Sequence, residues 1–419
     1  MKNLIFFGLV LCWSVSAAAQ VNVDARVPVN VDYAVNIKQN DVIDAAVDVQ
    51  DEDDPVRVRK FSKTFAVDRA DKINLNNQFG SILIKTWDRK EVKIDITISA
   101  NSTNDGEAQK LIDQVNIAAD KNGDVVSCRT SIGQGNRRGG RNKKREIKIV
   151  YVVYLPANNP LTVSQQFGNV IMGDYDGPLS AKVQYGDFNA GNLSSANNYV
   201  AVEYGKTNII SVNRAVIKQQ YGAGLTVETV GTLDLDAQYV KVAISTIKGD
   251  AVIRQQYGES LKVGSVNNLD LNIQYATASI GTIKGNATID QQYNALKIGF
   301  AGKLNLRSEY AGVTIGFLRG DGNFNMSYNN LVINDISQSC RNLTIDAEYV
   351  DIAMAFNDSY NGDFTVQRSY GGFKYGSNVK ARISGDSDDS SNKNYTGKIG
   401  NGGTGNVRIK TEYGSLTFR

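Results

Sequence analysis

The residues best placed to do chemistry in this chain are tyrosines. Tyr185, Tyr204, Tyr221, Tyr239, Tyr257, Tyr275, Tyr293, Tyr310, Tyr328, Tyr349 and Tyr370 follow one another at intervals of 17 to 21 residues. Phe167 holds the same place one interval earlier, and Tyr413 closes the series after a gap of 43. A Gln, Glu or Ser precedes most of these rings. Columns of aromatics and amides suit sugars, so Tyr221, Tyr239, Tyr257, Tyr275 and Tyr293 are candidate binding residues. Each tyrosine also shares parity with a buried-type aliphatic four residues earlier. That parity places the ring in the core or at a corner, its hydroxyl reaching water or a neighbour. A structural ladder is therefore the simpler reading.

Other reactive side chains are few. The chain has no His, which excludes Ser-His-Asp and Cys-His nucleophile systems, His-ligated zinc and imidazole acid–base work. Arg137, Arg138, Arg141, Lys143 and Lys144 lie in a Gly-rich basic stretch. Such a stretch reads as a solvated hairpin loop, or as a patch for anionic sugar or lipid headgroups. With a formal charge of +3 over 419 residues, no global attraction to nucleic acid arises, and none is expected as a partner. Asp234 with Asp236, and Asp386 with Asp388 and Asp389, could hold Ca²⁺ beside a basic residue in a polysaccharide lyase or hydrolase. Asp234 and Asp236 alternate with Leu233 and Leu235, however, and a solvated strand face accounts for them. Cys128 and Cys340 lie far apart and read as small buried hydrophobes. No catalytic residue, metal site or cofactor is expected.

The elements that carry these residues follow from the pattern around each tyrosine. Four residues before it stands an apolar residue (Ile217, Leu235, Ile253, Leu271, Ile289); three before it stands a polar one (Lys218, Asp236, Arg254, Asn272, Asp290). This is the period of two of a half-buried strand. Beyond the tyrosine the apolar positions move to odd offsets, as at Val242 and Ile244. A bend with a Gly corner is expected there, because Gly186, Gly205, Gly222 and Gly258 follow directly. A weaker two-unit period shows in Gln-Gln-Tyr at 219–221, 255–257 and 291–293, with Ala237 and Ile273 replacing the first Gln in between. The fold class is all-β: a single-stranded, parallel β-helix-like β-solenoid of about 18-residue coils. Residues 161–419 are expected to supply thirteen or fourteen coils, with the final interval spanning two of them and a loop at about 384–406.

A small α+β cap is expected over 61–160. It has strands at 72–76, 81–86 and 91–99, a helix N-capped by Asp105, an Asn122-Gly123 hairpin and a strand at 147–155. Residues 20–60 read as an alternating strand, apolar at every odd position from Val21 to Ile37, followed by an acidic linker at Asp51–Asp54. That strand fits either the edge of the main body or a partner sheet, by strand addition. Residues 1–19 have the basic start, apolar run and Ala17-Ala18-Ala19 ending of a secretory signal peptide, which points to export. No later segment has the ~18 apolar residues of a membrane span.

The (Q/E)-Y-G repeats, the strand–helix–hairpin lead-in and Tyr154-Leu155-Pro156 resemble the bacterial adhesin-like β-strand-repeat family, similar to its auto-transporter-adhesin head-domain group common in Bacteroidetes. The resemblance covers about residues 61–419. It implies an exported solenoid of the periplasm or outer surface of a Gram-negative bacterium. Such a protein acts as a non-enzymatic binding or scaffold module toward cell-surface glycan or an envelope protein. No catalytic residues are carried over.

Overall fold

The computed structural model describes residues 56–133, 145–384 and 391–419. The leader, the alternating segment 21–37, the acidic linker, the basic stretch with Arg137, Arg138, Arg141, Lys143 and Lys144, and Asp386, Asp388 and Asp389 lie outside the described residues.

The described chain is mostly strand with one helix, and its regular repeat, from Phe167 to Tyr349, makes about 11 turns of about 18 residues, with further coils at both ends that break this spacing. Each coil consists of a strand, a sharp corner, a second strand and a looser turn. Ser260–Val266 and Asn268–Gln274 show the unit size, while some turns merge two strands into one long element such as Gly224–Gln238. Equivalent strands pair in parallel and in register, so Leu235 lies beside both Ile217 and Ile253. Two parallel sheets result, one before and one after the corner. Their inward aliphatics, among them Ile253, Leu271, Val242 and Ile244, are fully buried between the sheets. A coil cannot bury this face alone; stacking supplies the partner.

Both ends depart from chain order. The first coil comes from Lys72–Gln78 and Gly80–Trp87, ahead of the expected start at 161, and packs on Leu161–Gln166 and Val170–Met172. Over its outer side lie Val125–Ile132 and Arg145–Pro156. Outside these run Val115–Asn122, Glu91–Ser102 and Val56–Ala66 in antiparallel pairing. Charged side chains close these outer edges: Lys63 Nζ donates to the Ala119 carbonyl at 2.6 Å, Lys121 Nζ to that of Ala66 at 2.8 Å, and Arg59 to that of Val115. Such cations blunt an edge that could otherwise pair with another chain. The helix, Asp105–Asp113, is N-capped by Asn104 rather than Asp105, because the Asn104 side chain reaches the Glu107 amide at 2.9 Å.

At the other end the interval between Tyr370 and Tyr413 holds no ordinary pair of coils. Gly405–Glu412 and Leu416–Phe418 return and insert between Asn342–Phe356 and the coil of Gly362–Ser369 and Phe373–Tyr375. The chain between them, expected as a loop over 384–406, contains the strand Asn392–Ile399. It pairs antiparallel with Gly362–Ser369 on one side and Val379–Ser384 on the other. Its composition is polar and Gly-containing because it lies at the end of the stack; the open edge beside it, not its own propensity, makes it a strand.

Candidate functional site

The corner of each coil is formed by the aromatic residue itself. Phe79, Phe167 and the twelve tyrosines from Tyr185 to Tyr413 all have φ between 49° and 61°. The left-handed region disfavours any residue with a Cβ and is unusual for a bulky one. One such residue turns the strand and resets its alternation, which is the physical source of the parity change seen in the sequence. The corner is thus a Tyr corner, and the Gly after it has another task. A Cβ on Gly186 would stand 2.0 Å from the Gly168 carbonyl oxygen, and one on Gly222 would stand 1.8 Å from that of Gly205. These glycines let adjacent coils approach. The backbone ladder continues through the corner, with the Tyr239 amide donating to the Gln256 carbonyl at 3.1 Å.

The left-handed conformation swings the ring out of the inward series that its parity suggests. All fourteen rings are 38–55% exposed. They stack into one column, with centroids 4.4–5.5 Å apart and planes within 13° of parallel. Tyr221, Tyr239, Tyr257, Tyr275 and Tyr293 are consecutive members, so the structure brings these candidates together on one edge. Each of the five has a neighbouring ring on both faces. No sugar can slide onto those faces; what the column offers is a strip of ring edges and hydroxyls. The hydroxyls affect one another. Crowding by neighbouring rings raises the pKa of Tyr204 and Tyr413, a hydroxyl contact with Tyr293 raises Tyr275, and the charge that would form beside Tyr328 raises Tyr310.

Polar groups flank the strip. The residue just before the corner forms a partial ladder, with Gln184 Nε2 donating to Glu203 at 2.9 Å. Beside Tyr204, Tyr221 and Tyr239 lies an open cleft of about 630 Å³, bounded also by Asp187 and Lys206. Two residues before the corner the side chain points inward, and here the Gln of the two-coil period is buried. Gln165, Gln219, Gln255 and Gln291 each donate to the carbonyl just past the aromatic corner of the adjacent coil, at 2.8–3.3 Å. The first Gln of Gln-Gln-Tyr is therefore a cap that fixes the corner carrying the ring. Ala237 and Ile273 fill the intervening layers with carbon.

The remaining candidates are dispersed. Asp234 is exposed and pairs with Arg254 at 2.9 Å on the outer strand face. Cys128 and Cys340 are buried free thiols, and desolvation pushes their pKa up to about 11 and about 12. Cys128 ends a buried chain in which Tyr151 Oη meets Thr130 Oγ1 at 2.8 Å and Thr130 donates to Asn77 at 3.0 Å. A second exposed stack, Phe300 on Phe317 at 4.5 Å with Arg319 over Phe300, escaped the sequence reading. Its only signal was a Phe at equivalent places in two adjacent coils.

Neither a protein-family model nor a curated protein matches the chain. Solved structures that align with it include a candidate cell adhesion protein from Clostridium sporogenes, at 8% identity over 86% of this chain and 99% of that one, with a TM-score of 0.15. A candidate adhesin from Bacteroides fragilis aligns at 10% identity over 86% and 97%, with a TM-score of 0.17. One from Parabacteroides merdae aligns at 13% identity over 71% and 92%, with a TM-score of 0.18. Likenesses this distant carry no argument about activity.

Proposed function

We propose that this chain is an exported, non-enzymatic, adhesin-like binding or scaffold module of the bacterial envelope that engages an extended glycan or protein along its aromatic edge. The observation that carries this reading is the unbroken column of half-exposed rings at corners where Gly or Asn would be less strained. A corner needs only a residue that tolerates positive φ, and the chain holds an aromatic at every one. A partner running parallel to the stack meets the same edge in each coil. Its contacts are hydrogen bonds to tyrosine hydroxyls and to the flanking Gln and Glu, with apolar contact along ring edges.

The test is glycan-array and envelope pull-down binding by the secreted chain, compared with a variant carrying Tyr→Phe at 221, 239, 257, 275 and 293. This variant keeps every stack and removes only the hydroxyls, so it should fold normally and lose most of the binding. Undiminished binding by the folded variant removes the hydroxyl edge as the site.

A further inference from the structure

The two ends of the stack are unlike. At the beginning, cationic side chains are laid across the outer strand edges. At the far end the outermost strand is Val379–Ser384, which among the described residues pairs with Asn392–Ile399 alone. Its inward series runs from buried Val379 through half-buried Ala381 to Ile383, which is 49% exposed. The apolar row thus continues into solvent, with Ile383 opposite Tyr395, whose ring meets Phe373. Its other face is cationic. Lys380 stands directly opposite Lys398 across the pair, and Arg382 lies two places on; on the inner side Asp363 of Gly362–Ser369 stands opposite Lys398, so this face sets three cations against one carboxylate. Like charges facing each other across a pair are destabilising; Asp363 offsets this on the inner side, and a carboxylate on the outer side of Lys380 and Arg382 would offset the rest.

The chain's own sequence contains a segment with the complementary pattern. From Val29 to Ile37 every odd position is apolar (Val29, Val31, Tyr33, Val35, Ile37), and the even positions are Asn30, Asp32, Ala34 and Asn36. The residues from 20 to 55 carry nine carboxylates against Arg26 and Lys38. We infer that residues 29–37 of one copy add as a strand to the free edge of Val379–Ser384 in a second copy, so that chains join head to tail. Added there, the odd residues extend the row of Val379, Ala381 and Ile383, and Asp32 comes to the face of Lys380 and Arg382.

Reach makes the acceptor a second copy. Between Val56–Ala66 and Val379–Ser384 the stack passes through about eighteen strand spacings, roughly 85 Å at ~4.8 Å each. Residues 38–55, fully extended at ~3.5 Å each, span about 63 Å. They cannot carry 29–37 to the far end of their own chain, but they easily carry it to an adjacent one. A head-to-tail contact uses a different surface on each copy, so every added copy presents a fresh donor and a fresh acceptor, and assembly runs on past the dimer into a chain or a ring.

Two full-length variants test this. One breaks the donor (Val31→Ser, Tyr33→Ser, Val35→Ser); the other reverses the acceptor (Lys380→Glu, Arg382→Glu). In sedimentation velocity the unaltered chain should form species that lengthen with concentration and shorten with added salt. Each variant alone should stay monomeric, and an equimolar mixture should give a one-to-one dimer and nothing larger, because only one productive edge remains. A peptide of residues 29–37 should bind the donor-broken variant at least tenfold more tightly than the acceptor-reversed one. A monomeric unaltered chain overturns the inference, as does association that survives in both variants or a mixture that fails to dimerise. Both variants keep the tyrosine column, so their array binding reports on the proposed function separately.

Discussion

Replacing Tyr239 separates the two roles that the corner combines. The residue sits at φ 55° and stacks on Tyr221 at 4.9 Å and Tyr257 at 5.2 Å. A left-handed residue bearing a Cβ costs ~1–2 kcal/mol, and each parallel aromatic contact returns ~0.5–1.5 kcal/mol. Two contacts therefore offset the corner's strain. Tyr239→Ala deletes both stacks and keeps the strain, so it should destabilise the local coils by about 1–3 kcal/mol. Tyr239→Gly deletes the same stacks but removes the strain, against ~0.5–1 kcal/mol of extra backbone entropy in the open state. Gly should therefore be more stable than Ala by about 0.5–1 kcal/mol at this position. Long repeat arrays do not always unfold as one unit. The assay is accordingly native-state hydrogen exchange at strand amides around residues 233–247, which reads local opening directly. An Ala variant as stable as the Gly variant, or more so, would refute the claim that the corner is strained and that stacking offsets it.

Three further outcomes are expected. Gly186→Ala forces a Cβ to 2.0 Å from the Gly168 carbonyl and should cost about 1–3 kcal/mol, whereas Gly173→Ala, with no atom within 4 Å, should be close to neutral, both read by the same hydrogen-exchange assay. Gln219 donates to the Gly205 carbonyl at 2.8 Å and accepts from Thr207, so Gln219→Leu should cost at least about 2 kcal/mol. Adding Thr207→Val should recover part of that loss in a double-mutant cycle, because the stranded hydroxyl is gone. Cys128 and Cys340 ionise in the folded chain only near pH 11 and 12, against an ordinary thiol value of 9.0. Their contribution to stability is complete below pH 9 and falls as pH rises from there through 11–12. Thiol reagents should therefore label neither at pH 8 until denaturant is added, and urea midpoints should drop across that alkaline window.

Much of this molecule was readable in its sequence. The interval of about eighteen residues, the apolar residue four places before each ring and the polar one between them fix strand, inward face and stacking unit, because side chains on a pleated strand alternate by geometry. The hairpin around Gly123 and the helix Asp105–Asp113 were visible for the same kind of reason, being set by neighbours a few residues apart. The direction of the tyrosine rings was not. Alternation presumes an extended backbone, and positive φ is signalled by Gly or Asn, whereas here Tyr and Phe adopt it. The role of the first Gln was hidden as well, since its acceptor carbonyl lies in another coil. So was the order of the last coils: a strand at 405–412 inserts ahead of one at 362–369 only because the paired edges complement each other in three dimensions. Sequence determined the coil, whose period is local. Tertiary structure decided what the coil shows to solvent, because that depends on one backbone torsion per turn and on partners a full turn away.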